Sequence, residues 1–138
     1  MTSEIHGLPY PASDPAYDDA VARKSNLLLE AKLLSEQGQD DQATHRFAEA
    51  ARIETDLAEY CAKRGYPESA HMHRYSAVGC WARAGNFYDA LVICDGLLEE
   101  PNLSASLRGH IETFSRTLRT RQRQYYLARE QEAAAAGA

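Results

Sequence analysis

The sequence has no apolar run approaching the ~18 residues a membrane-spanning helix needs. Its first residues, MTSEIHGLPYPAS, carry neither a basic stretch nor an apolar core, so they do not read as a secretory leader. β-Branched residues are few and no segment alternates apolar with polar, which argues against strands. Cysteine is confined to Cys61, Cys80 and Cys94, an odd number with no Cys-x-x-Cys spacing. That pattern fits reduced thiols in a cytoplasm, acting as small buried hydrophobes. A nucleophile motif, a glycine-rich phosphate loop and a carboxylate pair with catalytic context are all missing, so no cofactor is called for.

What is present suits a single soluble domain: 138 residues, 44% apolar and 25% charged. The formal charge of -5 speaks against general binding to nucleic acid or a membrane surface, but the charge is segregated. Residues 1–107 hold 9 basic and 17 acidic side chains, whereas residues 108–129 hold six arginines and one glutamate.

Residues 1–13, with Pro9 and Pro11, read as an extended arm. From Asp14, an N-cap followed by Pro15 at the first helical position, the pattern is helical almost throughout. Helices are predicted over 15–37, 41–64, 68–84, 87–99 and 103–130, within an all-α domain over 14–131. Asp40 or Asp41 is expected to cap the second, and Asn102 or Ser104 the fifth. The alanine-rich residues 132–138 are expected to fray. Connections of two to four residues make consecutive helices antiparallel neighbours. The expected inward faces are Val21, Leu27, Leu28, Ala31 and Leu34 in the first helix, and Ala43, Phe47, Ala50, Ala51, Leu57, Ala58 and Cys61 in the second.

Two glycine turns align. LLLEAKLLSEQGQDDQATHRFAEAA sets Gly38 against Gly85 in RYSAVGCWARAGNFYDALVICDGLL. Ala31 then matches Val78, Leu34 matches Trp81, Ala43 matches Ala90, Phe47 matches Cys94 and Ala50 matches Leu97. This pattern resembles the tetratricopeptide repeat, in which small residues let two antiparallel helices approach and glycine permits the turn. It departs from that family in spacing, because the extra segment RIETDLAEYCAKRG separates the units beyond the family's ~34 residues. The resemblance implies a fold of helical hairpins with the long fifth helix as cap. It also implies a module that binds a protein or peptide along a groove lined by the first helix of each pair. The groove positions it implies are Ser25, Leu28, Lys32, Met72, Tyr75, Gly79 and Arg83. The family's polar clamp for a C-terminal carboxylate is not reproduced, since Leu28, Tyr75 and Gly79 stand where its polar residues belong. Two units make a short stack, so a second copy of the chain is a further expected neighbour.

Arg64 and His71, with six residues between them in RGYPESAH, resemble the arginine–histidine motif of HEPN-type ribonucleases. In that alternative, histidine moves the proton and arginine stabilises the phosphate charge. Otherwise Arg64 ends a helix and His71 lies on a solvated face. His71 and His73 are about 200° apart on a helix and cannot share a metal ion, so no metal site is expected. In the fifth helix, Leu107, Ile111, Phe114 and Leu118 form a seam that turns polar at Arg121 and Gln122, where the helix is expected to project. Arg116, Arg119 and Arg123 share one flank. They read first as a solvated face or as pairing with Asp89, Asp95, Glu99 and Glu100, and next as a patch for an acidic protein partner; nucleic acid is the less favoured partner.

Overall fold

A computed structural model of the chain describes residues 14–137. The arm expected over 1–13 lies outside the described residues. Five helices follow in order: α1 (Pro15–Glu36), α2 (Asp40–Lys63), α3 (Pro67–Arg83), α4 (Phe87–Leu98) and α5 (Ala105–Gly137). No strand occurs among the described residues. The protein is an all-α stack of helical hairpins.

The first three connections are the same turn. Gly38, Gly65 and Gly85 have φ of 77°, 82° and 79°, a region that glycine enters without a Cβ penalty. At each, the glycine N–H donates to the carbonyl three residues back, and the next N–H donates to the carbonyl five residues back. This is the Schellman closure, which satisfies carbonyls left over at the end of a helix. The fourth connection differs. It spans residues 99–104, longer than the expected two to four. There Arg108 donates to the carbonyls of Leu98, at 2.9 Å, and Glu100, at 3.2 Å. A side chain from α5 thus performs at the end of α4 what glycine does elsewhere.

Helix starts follow the capping rules unevenly. The Asp14 carboxylate accepts from the N–H groups of Ala16 and Tyr17, and the Ser104 hydroxyl accepts from Leu107. Asp40 and Asp41 do not cap α2. They lie in its first turn, beside the positive end of the helix dipole, and Gln39 occupies the cap position. At the other end of the chain α5 runs on to Gly137, past the expected stop near 130. Alanine, glutamate, glutamine and arginine are all strong helix formers, and they fill the end of that run.

Cross-helix pairs fix the directions. Glu30 meets Arg46, Lys24 meets Glu54 and Tyr17 meets Tyr60, so α1 and α2 are antiparallel. Cys61 meets Ser69, Glu54 meets His73 and Phe47 meets Arg83, so α2 and α3 are antiparallel. Leu98 meets Arg108, Asp95 meets Arg119 and Phe87 meets Tyr125, which reverses α5 against α4. It follows that α1 and α3 run parallel, side by side, with Tyr17 against His73 and Leu28 in the cluster around Cys80. Extensive contact runs between helices consecutive in sequence, and the α2–α3 pair is the largest.

The aligned positions share their surroundings. Ala31 and Val78 are fully enclosed, and Leu34 and Trp81 are half-buried. Ala43, Ala90, Phe47, Cys94, Ala50 and Leu97 are all buried. Among the α1–α2–α3 contacts, Ala50, Ala51 and Cys80 form one tight cluster of small residues, while Tyr17, Ile53 and Leu57 fill another. The larger core lies between α3, α4 and α5, around Val78, Leu91, Leu97, Ile111 and Leu118.

A candidate groove between α1 and α3

The parallel pair α1 and α3 leaves a groove of about 480 Å³ between them, flanked by α5. Lys24 and Leu28 line it from α1, Gly79, Cys80 and Arg83 from α3, and Phe114 and Arg121 from α5; Glu54 of α2 reaches its floor. Two spacings build the α1 and α5 walls. Lys24 and Leu28 are four apart, and Phe114 and Arg121 are seven apart, so each pair shares one face of its helix.

Of the residues that the sequence pattern assigned to a groove, Leu28, Gly79 and Arg83 line this one. Ser25, Lys32 and Met72 are exposed and are not among its lining residues. Tyr75 is half-buried and does not line the groove, but it packs edge-on against the groove residue Phe114 with ring centroids 6.3 Å apart. The flank of α5 splits similarly. Arg119 pairs with Asp95 at 3.2 Å, Arg116 donates to the Thr113 hydroxyl, and Arg123 is exposed. Lys24, Glu54 and Arg121 were not singled out from the sequence as groove residues. For Glu54 a signal was available, since a carboxylate stands inside the apolar stripe of Ala50, Ala51, Ile53, Leu57 and Ala58.

Glu54 is almost fully buried, and the groove floor is built around it. Its Oε1 is 3.2 Å from His73 Nδ1 and 3.9 Å from Lys24 Nζ. The far side of the imidazole, Nε2, is 2.7 Å from the Tyr17 hydroxyl. With Nδ1–H donating to the carboxylate, Nε2 accepts from the tyrosine, and three helices are tied by one directed chain. A buried carboxylate is tolerable only with such partners. Burial above all raises the Tyr17 phenol above its ordinary value; Cys61 and Glu54 add to the rise, and Ser69 opposes it by a hydrogen bond.

All three thiols are buried and free. Burial first, then the charge of Glu54, pushes Cys80 up to about 11, while burial and Asp95 push Cys94 up to about 11. Thiols held protonated this way are poor nucleophiles at neutral pH. Among the described residues no three histidine, cysteine, aspartate or glutamate side chains gather as a metal-ligand set, and no helix is long and apolar enough to cross a membrane.

Arg64 and His71 do not share an exposed surface. The Arg64 guanidinium lies 3.6 Å above the Tyr60 ring, on the solvent side. His71 is buried, contrary to the solvated position expected for it. The reason is that α3 is the central helix of the stack: Ser69, Ala70 and His71 are buried in succession, so more than one face of its first turns is covered.

Compared with family models, with curated proteins and with solved structures, the chain matches none.

Proposed function

We propose that the protein is a non-enzymatic interaction module of tetratricopeptide-like build, an adaptor that holds a segment of a partner protein in the groove between α1 and α3. The observation that carries this reading is the parallel α1–α3 pair, with an open groove between the two helices and α5 closing one flank. The shared burial of residues 47 positions apart and the repeated glycine turn support the same reading. In it, α5 covers the last hairpin as a cap. A cytoplasmic setting agrees with three free buried thiols. Self-association belongs to the proposal as well. Leu29 and Leu33 on α1, and Tyr88 and Val92 on α4, are exposed pairs at i,i+4 spacing, where a second copy supplies a neighbouring hairpin.

The experiment is selection of peptides from a library of mixed composition, followed by amide hydrogen exchange of the protein with and without the best binder. Protection concentrated on the α1 and α3 residues of the groove is expected. Gly79→Leu is the companion variant: an added Cβ at Gly79 meets nothing within 4 Å, so a side chain there starts from open space at the groove wall. It should fold normally and bind at least about tenfold more weakly. Binders that protect another face, or that ignore Gly79→Leu, would sink the proposal. Light scattering tests self-association, and a monomer at every concentration would remove that part.

A further inference from the structure

We infer that the groove selects a segment rich in aspartate and glutamate with an apolar side chain among them. The inference rests on the interaction-module reading. The chain as a whole is acidic, with net charge -5, yet three cations from three different helices line this one groove against a single carboxylate. That carboxylate is already answered, because Glu54 has Lys24 at 3.9 Å and His73 at 3.2 Å. The remaining two cations are in surplus. Arg83 and Arg121 belong to none of the ion pairs among the described residues, whereas Arg46 has Glu30 and Glu49, and Arg119 has Asp95.

Arg83 is held without being neutralised. Its guanidinium carbon lies 5.7 Å from the centre of the Phe47 ring, a contact that positions the cation and leaves its N–H fork free. Arg121 reaches in from the opposite wall, one seven-residue step beyond Phe114. Guanidinium forks take carboxylates through paired N–H donors, which is geometry a lysine does not supply. Between the two arginines the surface is Leu28, Gly79, Cys80 and Phe114, an apolar strip that suits one aromatic or aliphatic side chain. At cellular ionic strength charges act over about 8 Å, so a partner at the groove feels these arginines more than the distant acidic surface.

The test is fluorescence anisotropy with three labelled dodecapeptides: one of Asp and Glu around a central Phe, its Asn/Gln counterpart, and a Lys counterpart. The acidic peptide should bind at least about tenfold more tightly than the amide version, and its affinity should fall steeply with salt. Arg83→Gln and Arg121→Gln should each weaken it about fivefold to tenfold, while Arg46→Gln, outside the groove, leaves it unchanged. Equal binding of acidic and amide peptides, or indifference to both groove variants, overturns the inference. So does displacement of the acidic peptide by a short RNA that binds more tightly. If library-selected neutral or basic peptides bind and Gly79→Leu blocks them, the module reading stands and the charge preference falls. If no peptide reaches the groove, both fall.

Discussion

Single residues decide where this protein spends polar groups. The Tyr60 hydroxyl is buried without a hydrogen-bond partner among the described residues, on a ring that the Arg64 guanidinium covers. An unsatisfied buried hydroxyl costs about 1–3 kcal/mol, so Tyr60→Phe should raise the urea midpoint, by about 1 kcal/mol of stability, and leave the Arg64 stacking in place. The thiols make a prediction about pH. In the unfolded chain a cysteine ionises near the ordinary 9.0, but Cys80 and Cys94 hold their protons to about 11 in the fold. Their folded-state values are raised, so the stability they contribute is complete below pH 9.0 and is lost as pH climbs through about 11. Urea unfolding from pH 8 to 10.5 should therefore show a decline that Cys94→Ala makes shallower. Tyr75, raised by burial, and Tyr17 act in the same direction at higher pH. An unchanged slope in Cys94→Ala would show that Cys94 does not contribute to the decline.

At the scale of the helix, the small residues of α2 and α4 set how closely the hairpins approach. Ala43 and Ala90 are both buried at matched positions five residues past their glycines. Replacing either with leucine should overpack the hairpin and cost about 1–3 kcal/mol, read as a lower melting temperature. Melting temperatures unchanged in both variants would contradict the packing. The inward face of α2 is legible in its sequence pattern: Ala43, Phe47, Ala50, Ala51, Leu57, Ala58 and Cys61 are all buried. The helix ends were legible too, because glycine followed by proline or a capping residue marks a physical stop. Tertiary context was not. α3 is covered on several sides, so a one-face reading left His71 in solvent. Tyr75 occupies an expected groove position, yet it turns toward Phe114 because α5 lies there. Arg121 joins the groove through the path of α5 in space, which no local pattern in the sequence encodes.

For the whole molecule, extensive contact runs between consecutive helices, so a segment that touches none of its neighbours adds little stability. The outer end of α5 then contributes little. Residues 128–137 are exposed throughout, and a chain ending at Leu127 should unfold within about 0.5 kcal/mol of the full one. A larger loss would mean that the end of the helix has a partner in solution. Removal of all of α5 is a different matter, since Leu107, Ile111 and Leu118 close the largest core cluster.

The position of the broadest interface has a consequence for timing. α2 and α3 share it and the α1–α2 contact is nearly as broad, whereas the contact between α4 and α5 is the narrowest between consecutive helices, so α5 opens before the α1–α3 centre. α1 supplies Lys24 and Leu28 to the groove, and α5 supplies Phe114 and Arg121. One wall of the proposed groove is therefore hinged on the most readily opened helix, and an occupant that spans it latches α5 to the centre of the fold.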